Sequence, residues 1–164
     1  KISIESENVA PHEGSIFMTI HKGDTLDNKE YFGTSDPYAL VTFGDQTFKS
    51  DTINNDLNPI WNYDFKMDVK EDSPSSFNIE IWDDNYGRHV LMGSSTFDIH
   101  NIMTSKKIEG KWIDLENCKQ GKVLISTDYV PSVSTSESSG DVEDSKSPLN
   151  RTSVPLDEPS TGGK

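Results

Sequence analysis

Two acidic residues stand where a strand meets a turn, and both are placed to offer a carboxylate to a hard cation. Asp36 lies in the run Ser35-Asp36-Pro37-Tyr38. Pro37 has a fixed φ and no N–H, so it begins a strand and leaves Asp36 at the lip of a sheet with its side chain free to point outward. Asp83 follows the alternating run Ile79-Glu80-Ile81-Trp82. Two strand ends that deliver carboxylates to one rim make an oxygen-rich site, and a cation held there can bridge to phosphate. Charged loop residues are also commonly a solvated acidic rim with no ligand. Asp36 has a further structural alternative, accepting backbone N–H bonds within its own turn.

The elements that must position these acids read as β-strands. Turn signals separate eight β-type runs, at residues 14–20, 38–43, 46–52, 61–69, 77–82, 94–99, 111–115 and 122–130. Period-two alternation in Ile16/Met18/Ile20, Phe77/Ile79/Ile81 and Val123/Ile125 turns one face of each strand to the core. The pattern predicts an all-β, eight-stranded antiparallel sandwich with loops gathered at its two ends. Trp61, Trp82 and Trp112 are expected as sandwich packing. Tyr31 and Phe32 stand at the tip of one loop and Tyr86 with Arg88 at the tip of another, where amphipathic rings could enter a lipid headgroup layer. The alternative for Tyr31 and Phe32 is that they fold back and cap the core.

Composition bounds the rest. The chain has 164 residues, enough for one domain with a sizeable core. After Pro131 it turns to Ser, Thr, Pro, Gly, Asp and Glu, which cannot bury enough apolar surface to offset chain entropy, so residues 131–164 are expected to be a disordered linker or tail. Residues 1–13 are an N-terminal extension whose Ile2/Ile4 alternation could add an edge strand. Asn150-Arg151-Thr152 fits a glycosylation sequon, and Ser147-Pro148 and Ser138-Ser139 fit weak phosphorylation signals. The single cysteine, Cys118, cannot form an internal disulfide and points to a reducing, cytoplasmic setting. No stretch approaches the length of a membrane span, and no charged-then-apolar signal pattern opens the chain. A net charge of −13 opposes nucleic acid. Without a Gly-rich phosphate loop, a nucleophile-elbow motif or a cysteine with a paired histidine, the sequence reads as neither an enzyme nor a small-molecule site. His12, His21, His89 and His100 lack metal-ligand spacing.

Several runs resemble the C2 domain, a calcium-linked β-sandwich that docks on membranes, over roughly residues 14–130. The carriers are Gly23-Asp24-Thr25-Leu26, Ser35-Asp36-Pro37-Tyr38, Asn58-Pro59-Ile60-Trp61-Asn62, Ile81-Trp82-Asp83 and Met92-Gly93. C2 domains come in two circularly permuted forms, and a strand at 122–130 that closes the domain implies the type II form, whose first strand is 14–20. The resemblance also extends to multi-C2 proteins of membrane contact sites, the tricalbins and extended synaptotagmins, which place linkers like this tail beside their C2 domains.

The resemblance implies a calcium cup. Asp36 matches the second first-loop acid and Asp83 the first third-loop acid. Glu30 falls on the other first-loop position, keeping the charge on a longer arm, and Asn85 supplies a neutral carbonyl on the next third-loop position. The third loop, Asp83 to Gly93, is about one residue short, and its last acidic position is met by His89 or Val90, neither of which replaces a carboxylate. Asp24, Asp27 and Asp84 are expected near the cup and outside it. A weakened or incomplete calcium site follows, because affinity depends on ligand charge and geometry. The family's alternative lipid contact is a lysine-rich face, represented here by Lys49 and Lys66 and interrupted by Asp51 and Asp56. The implied function is a peripheral membrane module of the cytoplasm that targets a larger protein to anionic phospholipid. The alternative is a calcium-independent module for a protein partner.

Overall fold

Alternation decides which side of each strand is dry. In the first strand, β1 (Gly14–Asp24), Ile16, Met18 and Ile20 are buried while Phe17 between them faces out. In β2 (Pro37–Phe43) the buried phase is Ala39, Val41 and Phe43. A computed structural model describes residues 13–132 of the chain. The expected N-terminal edge strand, the tail beyond Ser132, the sequon and the phosphorylation signals lie outside the described residues.

The remaining elements are β3 (Gln46–Lys49), β4 (Ile60–Val69), β5 (Ser76–Asn85), β6 (Arg88–Asp98), a helix α1 (Ile99–Ser105), β7 (Lys107–Asp114) and β8 (Lys122–Pro131). They form two four-stranded antiparallel sheets, ordered β4-β1-β8-β7 and β3-β2-β5-β6. The closing strand β8 lies directly beside β1, as the expected permutation requires. Buried aliphatic and aromatic side chains of the two inner faces, among them Ile16, Met67, Phe43, Phe77 and Ile81, make the core between the sheets. Removing such side chains from water is the main stabilising term of a sandwich of this size.

Four expectations need correction. The run expected as a strand ending at Ile99 instead enters α1. The Asp98 carboxylate accepts the His100 backbone N–H at 2.9 Å, and Ile99 and Ile102 on the inner side of the turn are buried. This is ordinary N-capping, masked in the sequence because seven helical residues follow a strand pattern without a break. The third loop is hardly a loop: β6 begins at Arg88, and Asn85 pairs with Arg88 across a two-residue turn, Tyr86-Gly87. Both turn residues have positive φ, 48° and 83°, which matches the right-handed twist of the flanking strands. His89 and Val90 are therefore strand residues paired with Asp84 and Asp83.

The other two corrections concern side-chain direction. Trp61 does pack against the core, but Trp82 shares the outward phase of β5 with Glu80, and Trp112 is 40% exposed on β7. Lys49 and Lys66 do not share a face. Phe48 and Phe65 stack in the interior at 4.8 Å, so their neighbours Lys49 on β3 and Lys66 on β4 point to opposite outer faces of the sandwich.

Candidate functional site at the loop end of the sandwich

The end of the sandwich reached by β1 and β5 is built by short polar side chains. In the segment 25–36, the Asn28 amide oxygen accepts from the Glu30 and Ser35 backbone N–H groups and from the Ser35 hydroxyl, while its NH2 donates to the Gly33 carbonyl. The Ser35 hydroxyl oxygen also accepts the Lys29 N–H at 2.8 Å. These bonds close an arch and push its crown outward. Tyr31 and Phe32 at the crown are 96% and 92% exposed, with ring centroids 5.9 Å apart, so they do not cap the core. Tyr86 is 100% exposed, and Arg88 is also exposed.

Asp27 anchors the arch from behind. Its carboxylate accepts from Lys29 Nζ at 3.0 Å and from the Lys119 backbone N–H at 3.1 Å. Burial pushes its carboxyl up, but the Lys119 and Lys29 hydrogen bonds and charges outweigh that and leave it below its ordinary value.

The acids at the rim are unequal. Asp83 falls in the same phase of β5 as Ile79 and Ile81 and is 0% exposed. One of its oxygens accepts the Asp36 backbone N–H at 2.8 Å, and the other, Oδ2, is buried with no partner. Glu30 reaches back from the arch to the Asp83 carboxyl, and its Oε2 is likewise buried without a partner. The facing Asp83 carboxyl, with burial and the charge of Asp36, raises the Glu30 carboxyl above its ordinary value. Arg88 offsets part of the rise. Asp36 is half engaged, since its Oδ1 accepts the Asn55 N–H at 2.7 Å and its carbonyl accepts the Asp84 N–H at 2.9 Å.

Above this pair lies an open cleft of about 460 Å³ whose lining includes Glu30, Asp36, Asp84, Asn85, Asn54 and Asn55. The structure thus sets Glu30, Asp36 and Asp83 as neighbours and Asn85 on the cleft wall. Asp84, expected outside the cup, lines it too. Alternation carried the signal for this: Asp83 continues the core phase of β5 and so points inward beneath the rim, while Asp84 takes the next, outward step. Asn54 and Asn55 come from the segment between β3 and β4, ahead of the Asn58-Pro59 pair, and neither carries a motif of its own. Among the described residues, no three Asp, Glu, His or Cys side chains converge closely enough to hold a metal ion. The donors that do converge are hard oxygens, the kind calcium takes, and two of them are orphaned.

Away from this end, Lys49 Nζ lies 4.5 Å from the Tyr38 ring centroid, and the Tyr38 hydroxyl meets His89 Nδ1 at 2.9 Å. Lys66 pairs with Asp68 at 3.7 Å.

Comparison with known proteins agrees with this architecture. The family model of the C2 domain matches residues 14–115. Synaptotagmin-4 of Arabidopsis thaliana is 32% identical over 130 residues, which cover 72% of this chain and 23% of that protein. Extended synaptotagmin-3 of Homo sapiens is 29% identical over 121 residues, covering 71% of this chain and 14% of the relative. The chain thus spans a small part of the relatives it matches. A solved structure of a pair of C2 domains from extended synaptotagmin 2, with calcium bound, superposes with a TM-score of 0.69 at 23% identity, covering 75% of this chain and 48% of the other. By matched family model, sheet order and strand permutation, this chain belongs to the C2 domain family.

Proposed function

We propose that this chain is a peripheral membrane module, a binding domain and not an enzyme, that docks a larger protein on anionic phospholipid through the end carrying Glu30, Asp36, Asp83 and Asn85. The observation that carries the reading is the Glu30–Asp83 pair, two facing carboxyls with orphaned oxygens beneath an acidic cleft, ringed by three aromatic side chains in water. In this reading Glu30, Asp36 and Asp83 would draw closer around calcium than they stand, with Asn85 adding a neutral oxygen. When bound, the ion would neutralise the cleft and leave positions for lipid phosphate.

The chain's own residues do the rest. Asp36 and Asp83 are fixed by the backbone bonds of Asn55 and Asp36, so the floor of the cleft is rigid. Glu30 stands on the arch, and the arch presents Tyr31 and Phe32 to the headgroup layer, where such rings are at home. Calcium affinity is weak in this reading because Asn85 replaces a charge and the Tyr86-Gly87 turn is too short to bring in another acid.

The loop tips provide the test. With both rings in water, Tyr31→Ser with Phe32→Ser should leave the melting temperature unchanged and raise the dissociation rate from phosphatidylserine vesicles at least several-fold, an effect high salt does not mimic. Unchanged vesicle kinetics would remove these rings from docking. If the protein binds vesicles under no condition, the calcium-independent protein-interaction reading takes over.

A further inference from the structure

On the outer face of the β4-β1-β8-β7 sheet, one register row reads Ile60, Lys22, Leu124, Trp112 across the four strands. Ile60 is 61% exposed and Trp112 40%, in a chain whose other outward strand positions are mostly polar or charged. Lys22 Nζ lies 5.9 Å from the Trp112 ring centroid and Lys122 Nζ, from the adjoining row, lies 5.1 Å from it. Two ammonium groups therefore converge on one exposed indole. Asp24 and Asp114 flank Lys122 in the ladder, and Asp24 accepts the Thr25 hydroxyl. Yet among the described residues neither ammonium has a carboxylate within 4.0 Å, in a chain carrying −13. Two ammonium groups gathered on one indole with no carboxylate in contact are free to take an anion.

The row identifies the kind of anion. It crosses the whole width of a sheet, and the groove on this face lies elsewhere, along Phe17, Asp64, Lys66, Lys107 and Asp128. A free phosphate needs a pocket, whereas an open band of indole, aliphatic side chain and lysine matches a headgroup layer, where the indole sits at the interface and lysine stems reach up to phosphate. β1 runs from Lys22 through Asp24 straight into the arch that bears Tyr31 and Phe32, so the band is continuous with the proposed docking end.

We propose that Lys22, Trp112 and Lys122, with Ile60 and Leu124, form a second lipid contact, so that the domain docks tilted, with this outer face leaning onto the bilayer. The proposal rests on the membrane reading of the loop end and adds a surface to it. The two ammonium groups would meet lipid phosphate directly, without a cation, and against the opposing charges of Asp24 and Asp114 beside Lys122.

The experiment uses the full chain and vesicles of equimolar phosphatidylcholine and phosphatidylserine, with and without bromine on the acyl chains, in calcium. Brominated lipid should quench the tryptophan fluorescence, and Trp112→Phe should remove that quenching. Lys22→Gln with Lys122→Gln should weaken vesicle binding by about thirty-fold, at roughly 1 kcal/mol per lysine. Circular dichroism melts of these surface variants should match the parent. Tyr31→Ser with Phe32→Ser serves as the control for the loop end. If that control loses binding while the lysine variant binds like the parent and Trp112→Phe is quenched equally, the second contact is overturned and the membrane reading stands. If the parent binds no vesicles, both fail. Displacement from vesicles by inorganic phosphate, beyond what sodium chloride of equal ionic strength causes, would make the band a free-anion site and overturn the proposal. So would lysine-dependent binding of polyglutamate without lipid quenching, which would assign the band to a protein partner.

Discussion

The Asp83 carboxyl faces Glu30 and, with the charge of Asp36, destabilises the ionised form of Glu30, an effect Arg88 offsets only in part. Glu30→Gln should raise the melting temperature of the calcium-free protein, because it removes the like charge and keeps a polar group at the contact. It should also weaken calcium binding on the order of tenfold or more, since a charged ligand is lost. Melts in chelator and a calorimetric calcium titration check both halves; a variant less stable than the parent in chelator would contradict the contact. Asp27 is the opposite case. Its folded value is depressed, so its contribution is present above the unfolded value and is lost as pH falls through the folded one. Asp27→Asn should cost about 1–3 kcal/mol near neutral pH, from the weakened bonds to Lys119 and Lys29. The gap to the parent should close in acid melts, and a gap independent of pH would show that Asp27 is not held ionised. At this scale the sequence was readable where a residue type forces geometry. Pro37 fixes the place of Asp36, and the period-two phase of β5 buries Asp83. It was unreadable for Asn28, Ser35 and Asn55, whose hydrogen bonds shape the site and leave no spacing rule behind.

The elements were legible in number and hidden in extent. Alternation found all eight strands because each buries one face against the other sheet. It stopped short at β6, where His89, Val90 and Leu91 lie beyond a bulge between Ile81 and Trp82 that breaks the phase. The turn there also lacks the usual Asn-Gly signature: Tyr86 takes a φ of 48° with a fully exposed ring. A bulky residue in the left-handed region is strained by roughly 1–2 kcal/mol, and such strain is commonly kept where a side chain serves function. Tyr86→Asn should therefore raise the melting temperature while weakening vesicle binding. If stability rises and binding is untouched, Tyr86 takes no part in docking; if stability falls, the hairpin is held by something other than turn geometry. Helix α1 was missed for a related reason. Seven residues give too few turns for a 3.6 period to show, although the Asp98 cap marks its start.

The whole molecule is set by charge. At −13 it should be repelled by anionic bilayers unless something reverses the sign at one place, and the loop end is where its hard oxygen donors converge without partners. Each acid near an anionic surface works against binding by about as much as a lysine helps, near 1 kcal/mol. Lys49 and Lys66 on opposite faces cannot supply a single basic patch. Overall charge and the likeness to a docking family were both plain in the sequence, whereas the facing of side chains across two sheets emerges only when the sheets are packed. The most direct measurement is co-sedimentation of the full chain with vesicles of increasing phosphatidylserine content, with calcium and with chelator. Recovery should rise with phosphatidylserine in calcium and fall sharply in chelator, and Asp36→Asn with Asp83→Asn should abolish the calcium effect. Equal recovery in calcium and chelator, unchanged in that double variant, would contradict calcium-assisted docking.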